Sequence, residues 1–414
     1  MIMIYLRLYT TMLSQKIRLM TKMGVFCILI FTFGVVVIRN NETYQQIKPE
    51  VITTIEKFPN FLNCNCNGEN FCFHGINYKG DVGLGKRFDC SLHAGLSRYK
   101  LTDEEIDSTP NDFDRLNPKT WQPMFVTSAS DNHFSEVRMM VKNIKQFYPD
   151  SKIVLYDLGL EIDQVLEIRQ WCNVEYKRFN FSKYPFYVGQ LLTYAFKVLI
   201  LEALQEYGTF FYFDSSIRIT GRNMNEFLRA VKDRRLTPLS NHVATSHSVE
   251  LSKKIYFFYQ TTEMYDYLPL PFVVLQMTDF TSTMFVSDSP YTRKVLKWFY
   301  LCAMTKNCIA PKGAVRHCPL EKYATYYPSL YLNCHRFDQA YWNLYFLTYL
   351  FGEEKGAIEL GYTKPWTELN STIVRKVEAS HLAAISSLTA LIDIRRKDGI
   401  RKPIQFPCSY SLDR

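Results

Sequence analysis

Apolar runs and amphipathic stretches alternate along the chain from Trp121 onward. Four short runs rich in apolar residues predict β-strands, and three stretches with apolar residues every three or four positions predict α-helices. The predicted strands cover residues 124–128, 152–156, 174–179 and 209–213, and the predicted helices cover residues 134–148, 161–171 and 188–207. Strands that alternate with helices over short connections are typical of an α/β fold with a mostly parallel sheet and helices on both faces.

One acid ends the fourth predicted strand. The segment YGTFFYFDSS is apolar and aromatic up to Asp214, after which Ser215 and Ser216 follow. In open α/β sheets, ligands bind beyond the carboxyl ends of the strands. We therefore expect Asp214 to lie at a binding site. A polar residue that merely ends a strand is the alternative interpretation.

The N-terminal part of the chain carries a membrane signal. Residues 23–38 have no charge and lie between Lys22 and Arg39, and residues 1–39 contain five basic residues and no acid. Because basic flanks stay cytosolic, this pattern predicts a single-pass type II anchor with a luminal C-terminal part. A cleaved signal peptide is the alternative, but no small-residue cleavage site follows Ile38. The predicted regions are a cytosolic tail (1–22), a transmembrane signal anchor (23–38), a luminal stem with a Cys-rich cap (39–120) and a luminal α/β domain (121–414).

Cysteines, sequons and charge agree with a luminal location. Ten of the eleven cysteines lie outside the anchor, and an even number in an oxidising compartment predicts disulfides. The pairing stays open, and zinc is an alternative for Cys64 and Cys66. Acceptor sequons for N-glycosylation begin at Asn41, Asn180 and Asn370. Of the net charge of +9, five charges lie in residues 1–39. The positive charge that remains for the rest of the chain is mild, which argues against nucleic acid as a partner.

Two polar motifs follow in the last third of the chain. In the segment HRFDQAYWN, Gln339 and Asn343 lie one helical turn apart with Asp338 at the start, which favours a shared functional face. A helix N-cap by Asp338 is the simpler alternative. The segment GYTKPW places Lys364 between Gly361 and Trp366.

With these motifs, residues 121–366 resemble glycosyltransferases of the GT-A fold, in particular glycosyltransferase family eight. The chain is more similar still to an uncharacterised group of nematode type II membrane proteins, the family of domain of unknown function 1647. Asp214-Ser215-Ser216 takes the place of the Asp-x-Asp motif, residues 338–343 match Asp-Gln-x-x-x-Asn, and residues 361–366 match the end of His-x-x-Gly-x-x-Lys-Pro-Trp.

The resemblance implies a Golgi or endoplasmic-reticulum enzyme that moves a sugar from a nucleotide-sugar donor to a glycan or protein hydroxyl, with retention of configuration. It implies further that such chains form homo-oligomers through the stem. The residues nearest the reacting sugar would be Asp338, Gln339 and Asn343. The donor would be bound by Asp214, Ser216, Lys197, Lys364, Gly361 and Trp366.

The metal site that the resemblance implies is incomplete. Enzymes of this kind hold Mn²⁺ or Mg²⁺ with two acids and a histidine, but Ser216 replaces the second acid and Ile358 the histidine. A single carboxylate, Asp214, is a poor site for a hard cation. The pattern therefore predicts a metal-independent transferase in which Lys197, Lys364 and Arg218 replace the metal charge. A non-catalytic glycan-binding or chaperone-like relative of the same fold is the alternative.

Overall fold

The computed structural model of the protein describes residues 64–76, 82–241, 262–269, 283–312, 314, 337–338, 341–342, 392–394 and 399–406. The predicted anchor (23–38) and the site candidates Gln339, Asn343, Gly361, Lys364 and Trp366 lie outside these residues. Within the described residues, no helix is both long and apolar enough to cross a bilayer.

The described residues form short strands and helices, which alternate between Phe125 and Asp214. In chain order the strands are β1 (Asn65–Cys66), β2 (Glu69–Asn70), β3 (His74–Ile76), β4 (Val82–Leu84), β5 (Phe125–Ala129), β6 (Ile153–Asp157), β7 (Val174–Arg178), β8 (Thr209–Asp214), β9 (Ile217–Ile219), β10 (Leu239–Asn241), β11 (Thr283–Ser287) and β12 (Ile392–Ile394). The α-helices are α1 (His93–Arg98), α2 (Asp103–Asp107), α3 (Asp112–Arg115), α4 (Phe134–Phe147), α5 (Ile162–Ile168), α6 (Leu199–Tyr207), α7 (Asn225–Lys232), α8 (Thr262–Tyr267), α9 (Pro290–Ala303) and α10 (Lys306–Ile309).

Among the described residues, the central sheet has six strands in the order β10-β11-β8-β5-β6-β7. Strands β8, β5, β6 and β7 pair in parallel, whereas β11 pairs antiparallel with both β8 and β10. The fold is therefore α/β with a mixed sheet in which one strand of six is reversed. All four predicted strands are confirmed within one or two residues, because each buries a continuous apolar run or pairs along its whole length. The parallel register sets Ser128 opposite Asp214 at the carboxyl edge of the sheet.

The helix predicted over residues 188–207 is wrong in its first half. The chain instead makes three 3₁₀ turns, Phe186–Gly189, Leu191–Thr193 and Ala195–Val198, before α6 begins. Tyr194 has a left-handed backbone with φ of 55°, which interrupts the helix. The apolar residues of this segment masked the interruption in the sequence, because their spacing also fits a helix.

Residues N-terminal to Trp121 pack on the same hydrophobic core as the sheet. Phe71, Phe88 and Phe113 are almost fully buried within that core. On α9, the buried Lys297 binds both Glu69 at 2.8 Å and Asp103 at 2.6 Å. The predicted boundary of a cap at residue 120 stays a prediction, but these contacts bind its residues firmly to the α/β core.

Disulfides are present, as the cysteine count predicted. Three join Cys64 to Cys72, Cys66 to Cys90, and Cys302 to Cys308. Cys172 is disulfide-bonded as well. The zinc alternative for Cys64 and Cys66 is wrong, because both sulfurs are covalently paired with other cysteines.

Candidate functional site

Lys197 lies buried between two carboxylates at the carboxyl edge of the sheet. Its Nζ is 2.7 Å from Asp338 Oδ2 and 3.4 Å from each oxygen of Asp214. The side chain of Lys197 is 4% exposed and that of Asp338 is 9% exposed, whereas that of Asp214 is 26% exposed. Three candidates that are far apart in the sequence therefore meet at one point, and Asp214 is the member of the cluster most open to solvent.

Each residue of the cluster is positioned by a different local structure. Asp214 ends β8, and Lys197 lies in the last 3₁₀ turn before α6. Asp338 follows Phe337, which has φ of 49°, and Tyr194 before Lys197 has φ of 55°. The rings of these two left-handed residues are 5.9 Å apart. Left-handed backbone at non-glycine residues is sparsely populated and gathers at functional sites. The two left-handed residues therefore pack together, next to the contact between Lys197 and Asp338.

The two carboxylates next to Lys197 keep its ammonium group protonated. Burial by itself lowers the lysine pKa, but the negative charges of Asp214 and then Asp338 raise it, and the net pKa lies well above the ordinary value. The Lys197 ammonium also lies 5.7 Å from the ring centre of Tyr212, whose own pKa is raised mainly by burial. The cluster therefore combines one fixed ammonium with two carboxylates, and its formal charge is −1 when all three groups are ionised.

The turn after Asp214 is held against helix α4. The hydroxyl of Ser215 donates to Glu136 Oε2 at 2.9 Å, and the same oxygen is 2.9 Å from His133 Nδ1. Ser216, the next residue of this turn, is buried. The buried guanidinium of Arg218 donates to the carbonyl oxygens of Ser215 and Ile217 at 2.7 Å. Arg218 therefore fixes the backbone of the turn, and its role as a replacement for the metal charge stays a prediction.

A second acid at the carboxyl edge of the sheet forms hydrogen bonds within its own loop and with the neighbouring strand. Asp157 ends β6, and its Oδ1 accepts hydrogen bonds from the backbone N–H groups of Gly159 and Leu160 at 2.7 Å. Its Oδ2 accepts from the Tyr176 hydroxyl at 2.6 Å. With these acceptor positions filled, Asp157 stabilises the loop after β6 rather than joining the Lys197 cluster.

Sequence reasoning missed Glu136 and Tyr212 as neighbours of the site. Glu136 lies in the first turn of α4 and Tyr212 lies two residues before Asp214 on the same face of β8. The two-residue spacing along a strand could have revealed Tyr212. Nothing in the sequence pattern indicated Glu136, since its contact with Ser215 joins residues 79 positions apart.

The described residues do not fit a Mn²⁺ or Mg²⁺ site. Within the part of the chain that the structure describes, no three His, Cys, Asp or Glu residues come close enough together to hold an ion. Asp214 and Asp338, the two acids that do meet, both face the Lys197 ammonium. A divalent cation next to a fixed ammonium would be repelled.

A family model matches part of the chain. Residues 63–202, about a third of the chain, match the model of a family described as protein of unknown function (DUF1647). The resemblance to that family is confirmed. The matched stretch includes Lys197 and ends before Asp214. No protein with a curated description matches the sequence.

Several solved structures of glycosyltransferases are similar to this chain. The galactosyltransferase LgtC in complex with donor and acceptor sugar analogues has a TM-score of 0.30 at 12% identity, over 64% of this chain and 95% of that chain. An active-site mutant of LgtC has a TM-score of 0.27 at 15% identity, over 44% of this chain and 65% of that chain. The apo WbbM bifunctional glycosyltransferase has a TM-score of 0.36 at 14% identity, over 70% of this chain and 48% of that chain. This chain thus spans 65% of the LgtC mutant and about half of WbbM.

Proposed function

We propose that the protein is a glycosyltransferase that moves a sugar from a nucleotide-sugar donor to a hydroxyl of a glycan or protein. The observation that carries the proposal is the buried contact of Lys197 with Asp214 and Asp338. These three residues come from separate segments of the sequence. In the structure, Lys197 Nζ lies within hydrogen-bonding or ion-pair distance of both acids. They converge at the carboxyl edge of an α/β sheet, and folds of this class bind their ligands at that edge.

The chemistry of the cluster suits a neutral sugar ring. Carboxylate oxygens accept hydrogen bonds from hydroxyl groups, and hydrogen bonds to charged groups are stronger than those between neutral groups. Lys197 holds both carboxylates in place before a ligand arrives, so little ordering remains to be done on binding. We propose that Asp214, the more exposed acid, and Asp338 orient the hydroxyls of the donor sugar, while Lys197 fixes their positions.

The diphosphate of the donor needs cations from elsewhere. A cluster with a net charge of −1 repels a diphosphate, and the described residues do not fit a divalent ion. We propose that Lys364 stabilises the charge that builds on the departing diphosphate, as a fixed cation would, and that Gly361 and Trp366 contact the donor with it. Gln339 and Asn343 would contact the reacting sugar beside Asp338. Retention of configuration and independence of metal belong to the same proposal.

The proposed location is the Golgi or endoplasmic-reticulum membrane, with a type II anchor and a luminal α/β domain. The disulfides support it, since such bonds persist in oxidising compartments. The uncharged residues 23–38 with their basic flank support the anchor. A homo-oligomer formed through the stem completes this proposal.

A non-catalytic relative on the same fold is the second candidate function. Ser216 stands where a second acid would hold a metal, and it lies buried in the turn after Asp214. Lys197 is already neutralised by two acids. These observations favour a luminal glycan-binding or chaperone-like subunit if no donor binds.

The decisive measurement is the melting temperature of the purified protein with a panel of nucleotide sugars, in Mn²⁺ and in chelator. A ligand that binds the folded state at about 100 times its Kd adds about 2.7 kcal/mol to the free energy of unfolding. We expect one donor to raise the melting temperature in chelator. The shift should be lost in Asp338→Asn and kept in the control Asp163→Asn, because Asp163 is exposed on α5.

The other outcomes separate the two candidate functions. If no nucleotide sugar raises the melting temperature, the transferase proposal fails and the non-catalytic relative stands. If the shift requires Mn²⁺, the metal-independent mechanism is wrong. If Asp338→Asn keeps the full shift, the Lys197 cluster is not the sugar site.

A further inference from the structure

The sequon at Asn180 lies in an exposed turn directly after β7. Asn180 and Ser182 are both exposed. Asn180 Oδ1 accepts a hydrogen bond from the Ser182 hydroxyl at 2.7 Å and from the Ser182 backbone N–H at 3.1 Å. The acceptor amide and the hydroxyl that every sequon requires are therefore in contact, and both face solvent. The sequons at Asn41 and Asn370 lie outside the described residues.

Aromatic packing anchors this turn without covering the asparagine. Phe179 is buried, and its ring lies 4.8 Å from Phe181 and 5.2 Å from Tyr184, measured between ring centres. The two phenylalanines that flank Asn180 thus point toward the protein, while the amide between them points outward. A bulky group on Asn180 would displace none of these contacts, which is the condition for a modified residue in a folded protein.

The turn also lies beside an edge of the central sheet. Strand β7 is the outermost strand on its side of the sheet among the described strands. Unpaired strand edges invite pairing with another chain, and proteins cover or charge them to prevent it. A glycan two residues beyond Arg178 would shield the carboxyl end of β7. The placement therefore offers a physical benefit beyond mere accessibility.

We infer that Asn180 carries an N-linked glycan. The inference goes beyond the proposed catalytic function and depends on the luminal location, since the glycan comes from a lipid-diphosphate-linked oligosaccharide and a separate transferring enzyme. In that reaction Asn180 Nδ2 forms a bond to the anomeric carbon of the oligosaccharide, and the bond from that carbon to the diphosphate oxygen breaks. The lost amide proton goes to a base of the transferring enzyme, and the lipid diphosphate leaves.

The test uses the full chain expressed in insect cells. Cleavage after glutamate releases residues 176–202, a peptide in which Asn180 is the one asparagine. Treatment with peptide N-glycosidase in ¹⁸O-water converts a glycosylated asparagine to aspartate that carries the heavy isotope, which mass spectrometry detects. We expect this label in the wild type and in Ser182→Thr, which keeps the hydroxyl. Asn180→Gln and Ser182→Ala should lack the label and migrate faster by one glycan.

Recovery of the wild-type peptide with unlabelled Asn180 would overturn the inference. If Asn41 or Asn370 carried glycans in that case, the location would stand and the Asn180 site alone would be wrong. If none of the three did, the luminal location would fail with it. Neither result depends on donor binding, so failure here is distinct from failure of the transferase proposal.

Discussion

Replacing Lys197 with methionine is the sharpest test of the cluster. Methionine has a similar length and an apolar side chain, so it fills the space of the lysine without its charge. The change leaves Asp214 and Asp338 facing each other with no cation between them. Asp338 is nearly as buried as the lysine, with a side chain that is 9% exposed.

The expected loss of stability is large. Removing one partner of a buried ion pair costs about 3–5 kcal/mol, because the remaining charge stays desolvated and uncompensated. The Lys197 ammonium has two carboxylate partners, at 2.7 and 3.4 Å, and is itself 4% exposed. We therefore expect Lys197→Met to lower the free energy of unfolding by about 3–5 kcal/mol at neutral pH. Because solvent reaches part of Asp214, the charge of this residue contributes less to the loss of stability than the charge of Asp338 does.

The pH dependence identifies the charge as the cause. In the variant, the two carboxylates lack a cation, and protonating either one removes the repulsion between like charges. We therefore expect the penalty to be smaller at acidic than at neutral pH. In the wild type, the folded pKa of Lys197 is raised. Its stabilisation is therefore fully present below the unfolded value of about 10.5 and is lost as the pH rises through the higher folded pKa.

The assay is urea unfolding followed by intrinsic fluorescence at neutral and mildly acidic pH. Lys142→Met is the matched control, because Lys142 is exposed on α4 and its loss should change stability by no more than about 0.5 kcal/mol. The triple variant that also carries Asp214→Asn and Asp338→Asn should recover part of the lost stability. A penalty for Lys197→Met as small as that of the control, or one that does not change with pH, would refute the buried ion cluster.

Two further predictions concern stability. The double variant Cys302→Ala with Cys308→Ala should lower the free energy of unfolding by about 2 kcal/mol, since the bond closes a short loop, and an unchanged urea midpoint would contradict this. Gly208→Ala should cost more than about 1 kcal/mol, because Gly208 has φ of 70° and an added Cβ would lie 2.7 Å from Asp112 Oδ2. Gly159→Ala, at φ of 123° with open space around it, is the control that carries backbone strain alone and should cost less.

The positions of four strands along the chain, and of Asp214 at the end of one of them, followed from the sequence. Strands of the sheet core are short, apolar and bounded by polar turns, so local pattern suffices to find them. Asp214 is recognisable because an ionisable residue that ends an apolar strand stands out within a few residues of chain. The disulfide chemistry of the cysteines was equally readable from their number, whereas their pairing was not.

The tertiary structure alone decided the environment of the lysine and of the arginine. Lys197 and Arg218 look alike in the sequence as basic residues near Asp214. The left-handed turn at Tyr194 directs Lys197 inward to Asp214 and Asp338, while Arg218 is bound to the carbonyl oxygens of its own turn. The contact between Lys197 and Asp338 joins residues more than a hundred positions apart. Such contacts depend on how the whole core packs. A local pattern of hydrophobic and polar residues carries no information about that packing.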